Sequence, residues 1–229
     1  MSERKVAVVK LSGSLVSPPS PLYLRRLRDS VERARSSGWR LGIVVGGGAT
    51  ARSYITALRE LGVPESILDE VGIESAVLNA MAVASALYPY SPIEIPRNVR
   101  EALTVFEEGL IPVLGGLQPG HSTNAVAAVL AETIGADLLL NLLNGVAGVY
   151  AGGAPGEPGA RLLRAATYDE LENIVRDKRS LAGTYELFDS VAVSVVRRSH
   201  IKVRFVDGRD PEVIQRILLN QEDLGTLVG

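Results

Sequence analysis

The amino-acid sequence predicts an α/β protein in which helices flank a mainly parallel sheet, and three observations carry that expectation. Short valine- or leucine-rich runs of strand length alternate with longer segments whose apolar residues recur at helical spacing. Several of these runs exit into glycine-rich loops that open a helix, as βα units do. No internal repeat or linker composition divides the 229 residues, so one domain over 1–229 accounts for them.

The elements follow in order. Residues 5–11 form an apolar strand ending at Ser12-Gly13-Ser14. After a loop at 18–21, residues 22–37 space apolar side chains among arginines as a helix does, and Gly38 closes it. The second strand, 39–45, runs into Gly46-Gly47-Gly48 and a helix over 49–61 stopped by Gly62-Val63-Pro64. Residues 65–87 are alanine-rich and apolar on more than one side, the pattern of a helix packed against a sheet or another subunit. A short strand is expected at 93–95, a helix at 97–108, and a strand at 110–114 that enters a second glycine-rich exit at 115–123. Small residues dominate 124–134, a helix suited to close packing on a sheet. Residues 137–143 form a leucine strand, and the Gly/Pro-rich 151–159 a mobile loop or open hairpin. Thr167 with Glu170 marks a capping box for a helix over 167–175, and 177–181 is charged and exposed. A helix over 187–199, a strand at 200–206, a helix at 211–219 and a strand at 225–228 complete the chain.

Composition narrows the chemistry. A formal net charge of -2 gives no basic field for nucleic acid. With no cysteine, thiolate catalysis, disulfides and cysteine-held zinc are excluded. Two histidines far apart in sequence argue against a transition-metal site, whereas magnesium held by phosphates and carboxylates stays open. His121 reads as a loop histidine satisfied by backbone, and His200 opens a strand without a role. The charged first five residues do not resemble a signal peptide, and no run has the length of a membrane span, so a cytoplasmic, membrane-free protein is expected.

The strongest local signal is Val44 to Arg52. Three glycines without Cβ atoms let an anion approach the N–H groups that open the next helix, and Arg52 lies one turn on. Lys10, at the end of the first strand, is placed to meet phosphate oxygens. Ser122 and Thr123 either cap their helix or share their hydroxyls with a phosphate. Alone, the triplet is equally a tight turn beside a surface arginine, and Lys10 by itself reads more readily as a snorkelling strand-end lysine.

Several motifs in order carry a resemblance. Lys10-Leu11-Ser12-Gly13-Ser14-Leu15, Gly46 to Tyr54, Leu68 to Ile73 with Asn79-Ala80, Gly115 to Thr123 followed by Ala125 to Ala128, and Ala182 to Leu187 together resemble the amino acid kinase superfamily, and within it the archaeal type of uridylate kinase. The resemblance covers nearly the whole chain. It implies a three-layer α/β/α sandwich, with an acceptor-binding half at about 1–135 and a nucleotide-donor half at about 136–229. It also implies transfer of the ATP γ-phosphoryl group to UMP, a magnesium requirement and a homo-hexamer built as a trimer of dimers. Lys10, Ser12 and Gly13 would face the transferring phosphates, with Ser14, Gly48 and Tyr150 as further nucleotide contacts. Gly47, Gly48, Arg52, Ser122 and Thr123 would hold the acceptor phosphate, Gly116 would lie on the acceptor side, and Asp69 would bind the ribose. Asp189 would orient Lys10.

The donor half departs from that pattern. The family's Thr-Asn-Val-Asp-Gly-Val-Tyr stands here as Asn144-Gly145-Val146-Ala147-Gly148-Val149-Tyr150, without its carboxylate, and Ser194 stands where archaeal relatives often place a lysine. Arg197 and Arg198 either compensate or form a solvated face. These departures leave open a second reading, a non-catalytic uridine-nucleotide-binding homologue with a degenerate ATP site.

Overall fold

The computed structural model describes residues 5–177 and 187–229. Its main sheet has seven strands: in spatial order Val113–Leu114 (β3), Arg40–Val45 (β2), Val6–Leu11 (β1), Leu138–Leu143 (β4), Lys202–Asp207 (β8), Thr226–Val228 (β9) and Ala165–Ala166 (β7). From β3 to β8 all neighbours are parallel; β9 runs antiparallel to β8, and β7 is parallel to β9. A central parallel strand is covered on both faces, which is why β1 reads Val-Ala-Val-Val-Lys-Leu and is buried throughout.

Two helical layers cover it. Ala7, Val9 and Leu11 of β1 pack with α1 (Pro21–Ser36), α3 (Glu65–Leu87) and α8 (Val213–Leu218). Val6 and Val8 face the opposite layer of α4 (Val99–Glu107), α5 (Thr123–Thr133), α6 (Tyr168–Asp177) and α7 (Ser190–Arg198). The expected three-layer α/β/α arrangement is the one observed. α5 lies close on the sheet because Ala125, Ala127, Ala128 and Ala131 are fully buried. α2 (Gly48–Glu60) packs chiefly along α3 rather than on the sheet.

Local signals account for the ends. Ser20 caps α1, Asn98 caps α4, and Thr167 exchanges hydrogen bonds with Glu170 at the start of α6, the expected capping box. The Gly/Pro-rich segment is an open hairpin: Tyr150–Ala151 (β5) pairs antiparallel with Arg161–Leu162 (β6).

Some expectations are corrected. Residues 93–95 are not a strand, being confined between Pro92 and Pro96 with no strand beside them. The strand expected over 110–114 shortens to β3, because only Ile43 and Val44 of β2 lie opposite. β7 was not expected at all, since two alanines carry no strand preference. His200 does not open a strand: it occupies a turn with φ 52°, and β8 begins at Lys202. Most of the charged stretch at 177–181, and the motif from Ala182 to Glu186, lie outside the described residues.

Candidate active site

The sheet places its carboxyl ends along one edge. From β1 the chain steps outward to β2 and β3, then returns through α5 to β4 on the other side of β1. The order therefore reverses between β1 and β4, and ligands of open α/β sheets bind outside the strand ends at such a point. Converging there are the loop after β1, the glycine triplet after β2, the loop 115–122 before α5, and the N-termini of α2, α5 and α7. Helix N-termini present unpaired N–H groups and partial positive charge, so the edge suits anions.

The two glycine loops interlock. A Cβ on Gly13 would collide with Gly46 O and Gly48 N, and Gly48, at φ 67°, would in turn strike the Gly13 backbone. Only residues without a side chain allow this approach. Arg52 reaches back from α2 and donates to Ser14 Oγ at 2.8 Å, spanning both loops with an exposed guanidinium. The floor of the triplet is α3, where buried Asn79 donates to Gly46 O at 2.9 Å and Gly47 O at 3.1 Å. Gly115 and Gly116 also press on α3: Cβ atoms there would lie 2.6 Å from Val77 N and 2.9 Å from the Ile73 side chain. Asp69, also from α3, accepts from Gly120 N–H at 2.9 Å, which holds the loop before α5 over this half.

Lys10 and Asp189 form the centre. Lys10 faces the α5/α7 layer beside its register partner Asn141 on β4. Burial pushes the Lys10 ammonium down to about 8, partly countered by the Asp189 carboxylate, and its side chain has no hydrogen-bond partner among the described residues. Asp189 caps α7 by accepting from Ala192 N–H at 2.9 Å, and its second oxygen takes a short hydrogen bond from Ser122 Oγ. Ser122 in turn caps α5, accepting from Asn124 and Ala125 N–H at 3.0 and 3.2 Å. One hydroxyl thus ties the starts of two helices to the carboxylate nearest Lys10. Behind them, fully buried Asn141 donates to Asn124 Oδ1 and Leu187 O, while its Oδ1 has no partner.

Residues 5–207 match the profile of the Amino acid kinase family. The chain belongs to the amino acid kinase family. Among its relatives, a uridylate kinase of Aeropyrum pernix is 56% identical over 205 residues, 89% of this chain and 91% of the other. A uridylate kinase of Hyperthermus butylicus is 45% identical over 221 residues, 96% of each chain. The crystal structure of uridylate kinase from Archaeoglobus fulgidus superimposes with a TM-score of 0.86 at 34% identity, covering 97% of this chain and 99% of that one.

Within this family member, the residues singled out from sequence fall into three groups. Lys10, Ser12, Gly13, Ser14, Gly47, Gly48, Arg52, Ser122, Thr123 and Asp189 belong to the interlocked loops and the helix starts beside them, and Thr123 Oγ1 lies 3.4 Å from where a Gly46 Cβ would stand. Asp69, on α3, holds the loop before α5, and Gly116 of that loop packs against Ile73 of the same helix. Tyr150 stands apart, lining a cavity of about 720 Å³ with Val146, Gly148, Ile174 and Leu187. The apolar character of that lining suits a flat base more than a polyphosphate.

Ala147, where the family's carboxylate is missing, is exposed and has no replacement among the described residues, whereas the other departures can be placed. Gly145, at φ 75°, donates to Asp207 Oδ1 at 3.2 Å, and Asp207 also holds the Arg209 guanidinium, which keeps its carboxyl below the usual range against the opposing effect of burial. Ser194 is exposed on α7. Arg197 pairs with Asp169 and Glu172, and Arg198 with Glu132, so both arginines brace helices rather than replace a lysine at the site. The ring of His121 is met by the Gln118 amide nitrogen, 3.0 Å from Nδ1, rather than by backbone. Two contacts escaped sequence reasoning, the link from Ser122 to Asp189 and the hold of Asn79 on the triplet. Each joins residues distant in sequence and has no local signature.

Proposed function

We propose that this chain transfers the γ-phosphoryl group of ATP to UMP, giving UDP and ADP in pyrimidine nucleotide synthesis. The observation that carries the reading is the pair of interlocked glycine loops at the end of the strand that carries Lys10, on a chain whose relatives are uridylate kinases. A UMP phosphate oxygen attacks the γ-phosphorus; the new O–P bond forms as the bond to the β–γ bridging oxygen breaks, and ADP departs with the electron pair. Such a transition state needs alignment and charge stabilisation more than covalent help.

The roles follow from position. Gly47, Gly48, Arg52 and Thr123 hold the UMP phosphate, and Asp69 accepts from the ribose hydroxyls. Lys10, with the backbone of Ser12, Gly13 and Ser14, stabilises the transferring group. Asp189 keeps the Lys10 ammonium protonated and directed, and the cavity beside Tyr150 takes the donor base. Magnesium, when bound, would neutralise charge on the nucleotide phosphates. Asp189, the carboxylate that acts on Lys10, would be the side chain offered to an ion carried by those phosphates. No observation favours a non-catalytic role: the Asp189 carboxylate acts on Lys10, and the relatives are uridylate kinases.

The same reading extends to assembly and place. α3 turns one side to the core and leaves Ile67, Leu78 and Met81 exposed on the other, with Leu61 and Tyr54 of the neighbouring segment also exposed, which supports a dimer through this face as the unit of a hexamer. No described helix is long and apolar enough to cross a membrane, and the proposed site of action is the cytoplasm.

Purified protein incubated with magnesium-ATP and each nucleoside monophosphate is expected to form UDP preferentially. UMP binding with no more ADP release than a Lys10→Ala control would refute phosphoryl transfer.

A further inference from the structure

A backbone loop that binds an anion must aim its N–H groups before the anion arrives, or part of the binding energy is lost in ordering them. In the triplet after β2, Gly46 N–H is bonded to Leu11 O at 3.0 Å. Gly47 O also receives the Ala51 N–H at 3.4 Å, a long contact. Both carbonyls, Gly46 O and Gly47 O, are taken by the single amide nitrogen of Asn79, a side chain 6% exposed in α3. A primary amide has two protons on that nitrogen, one for each carbonyl.

The peptide group is planar and trans, so the direction of a carbonyl sets the following N–H to point the opposite way. With Gly46 O and Gly47 O turned onto Asn79 of α3, the Gly47 and Gly48 N–H groups point away from that side chain. Neither N–H has a hydrogen-bond partner among the described residues. Glycine would otherwise leave these peptides freer to rotate than any other residue.

We propose that Asn79 is a positioning residue for the phosphoryl acceptor: it never touches the substrate, but holds two successive peptide planes so that their N–H groups meet the acceptor phosphate. The inference rests on the UMP site proposed above. Its chemistry is specific, because two carbonyl oxygens 2.9 and 3.1 Å from one atom require a donor there, and a carboxylate of the same shape would oppose both.

Steady-state kinetics of Asn79→Ala and Asn79→Asp, with UMP and ATP varied in turn, test it. Circular dichroism and thermal melting identify the folded variants. The expected result is a KM for UMP raised at least tenfold, more in Asn79→Asp than in Asn79→Ala, with the KM for ATP within twofold of the parent. A folded variant with an unchanged KM for UMP, or with both constants raised equally, overturns the proposal. Hydrogen exchange on the unmutated protein gives a test independent of folding: UMP is expected to protect the Gly47 and Gly48 amides, and unchanged exchange at both overturns the proposal as well. Unmutated protein that makes no UDP defeats the proposed function instead, whereas normal turnover of UMP with a normal KM in Asn79→Ala defeats only the role of Asn79.

Discussion

Replacing Lys10 by methionine is expected to make the protein more stable and nearly inactive. Burial brings the Lys10 pKa from 10.5 to about 8. That difference of about 2.5 units, at 1.36 kcal/mol each, corresponds to roughly 3 kcal/mol by which the folded state disfavours the ammonium. Methionine keeps an unbranched chain of similar length without the charge, so Lys10→Met is expected to gain about 2–3 kcal/mol at pH 7. The sign fixes the pH window. Between pH 8 and 10.5 the unfolded chain binds the Lys10 proton and the folded one does not, so the parent protein gains stability through that interval. The advantage of Lys10→Met should be constant below pH 8 and disappear by pH 10.5. Urea unfolding at pH 7, 9 and 10.5 measures it, while initial rates of UDP formation should fall by about two to three powers of ten. Equal stability of the two proteins at pH 7, or a difference independent of pH up to 10.5, would show that the ammonium is not desolvated in the fold and refute the reasoning.

Three further outcomes follow from the same geometry. Ser122→Ala removes the hydroxyl that ties Asp189 to the start of α5, so kcat should fall about tenfold with little change in the KM for UMP; a large rise in that KM would instead make Ser122 a direct phosphate ligand. Arg52→Ala should weaken UMP far more than ATP in binding titrations, and equal losses would contradict the assignment of that loop to the acceptor. Glu132, whose carboxyl Arg198 and Ser199 hold down to about 2, contributes stability above the unfolded value of 4.5 that is lost as pH falls towards 2. Glu132→Gln should therefore be less stable than the parent at pH 7, with the difference closing over that acid range in unfolding titrations.

The interlocked glycine loops were legible because backbone chemistry leaves a local trace. Glycine runs at strand exits mark places where side chains are excluded, and both loops stand where those runs predicted them. Lys10 stood out as a charge at the end of an otherwise apolar strand, but its burial beside Asp189 shows only in the fold. The cross-links were not legible. Ser122 and Asp189 are 67 residues apart, Asn79 and Gly46 33 apart, and each is an ordinary polar residue until the fold brings its partner. The errors in secondary structure have a similar origin. β3 is short because of what lies opposite it, and Ala165–Ala166 becomes a strand only because β9 offers it an edge. Pairing, more than composition, decides the status of two-residue segments.

The contact between Gly13 and the Gly46–Gly48 backbone also acts as a ruler. Because the loops after β1 and β2 meet main chain to main chain, their spacing is set by atoms that have no rotamers, and under the proposed roles so is the gap across which the phosphoryl group travels. Heating makes side chains hop between wells, but it leaves this spacing to bonds and peptide planes. Neither loop can drift without the other, so under the roles proposed above substrate choice is left to groups beyond the phosphates, Asp69 for the ribose and the cavity beside Tyr150 for the base. Lengthening the ruler by one methyl, as Gly13→Ala would, should therefore uncouple transfer from binding of either nucleotide.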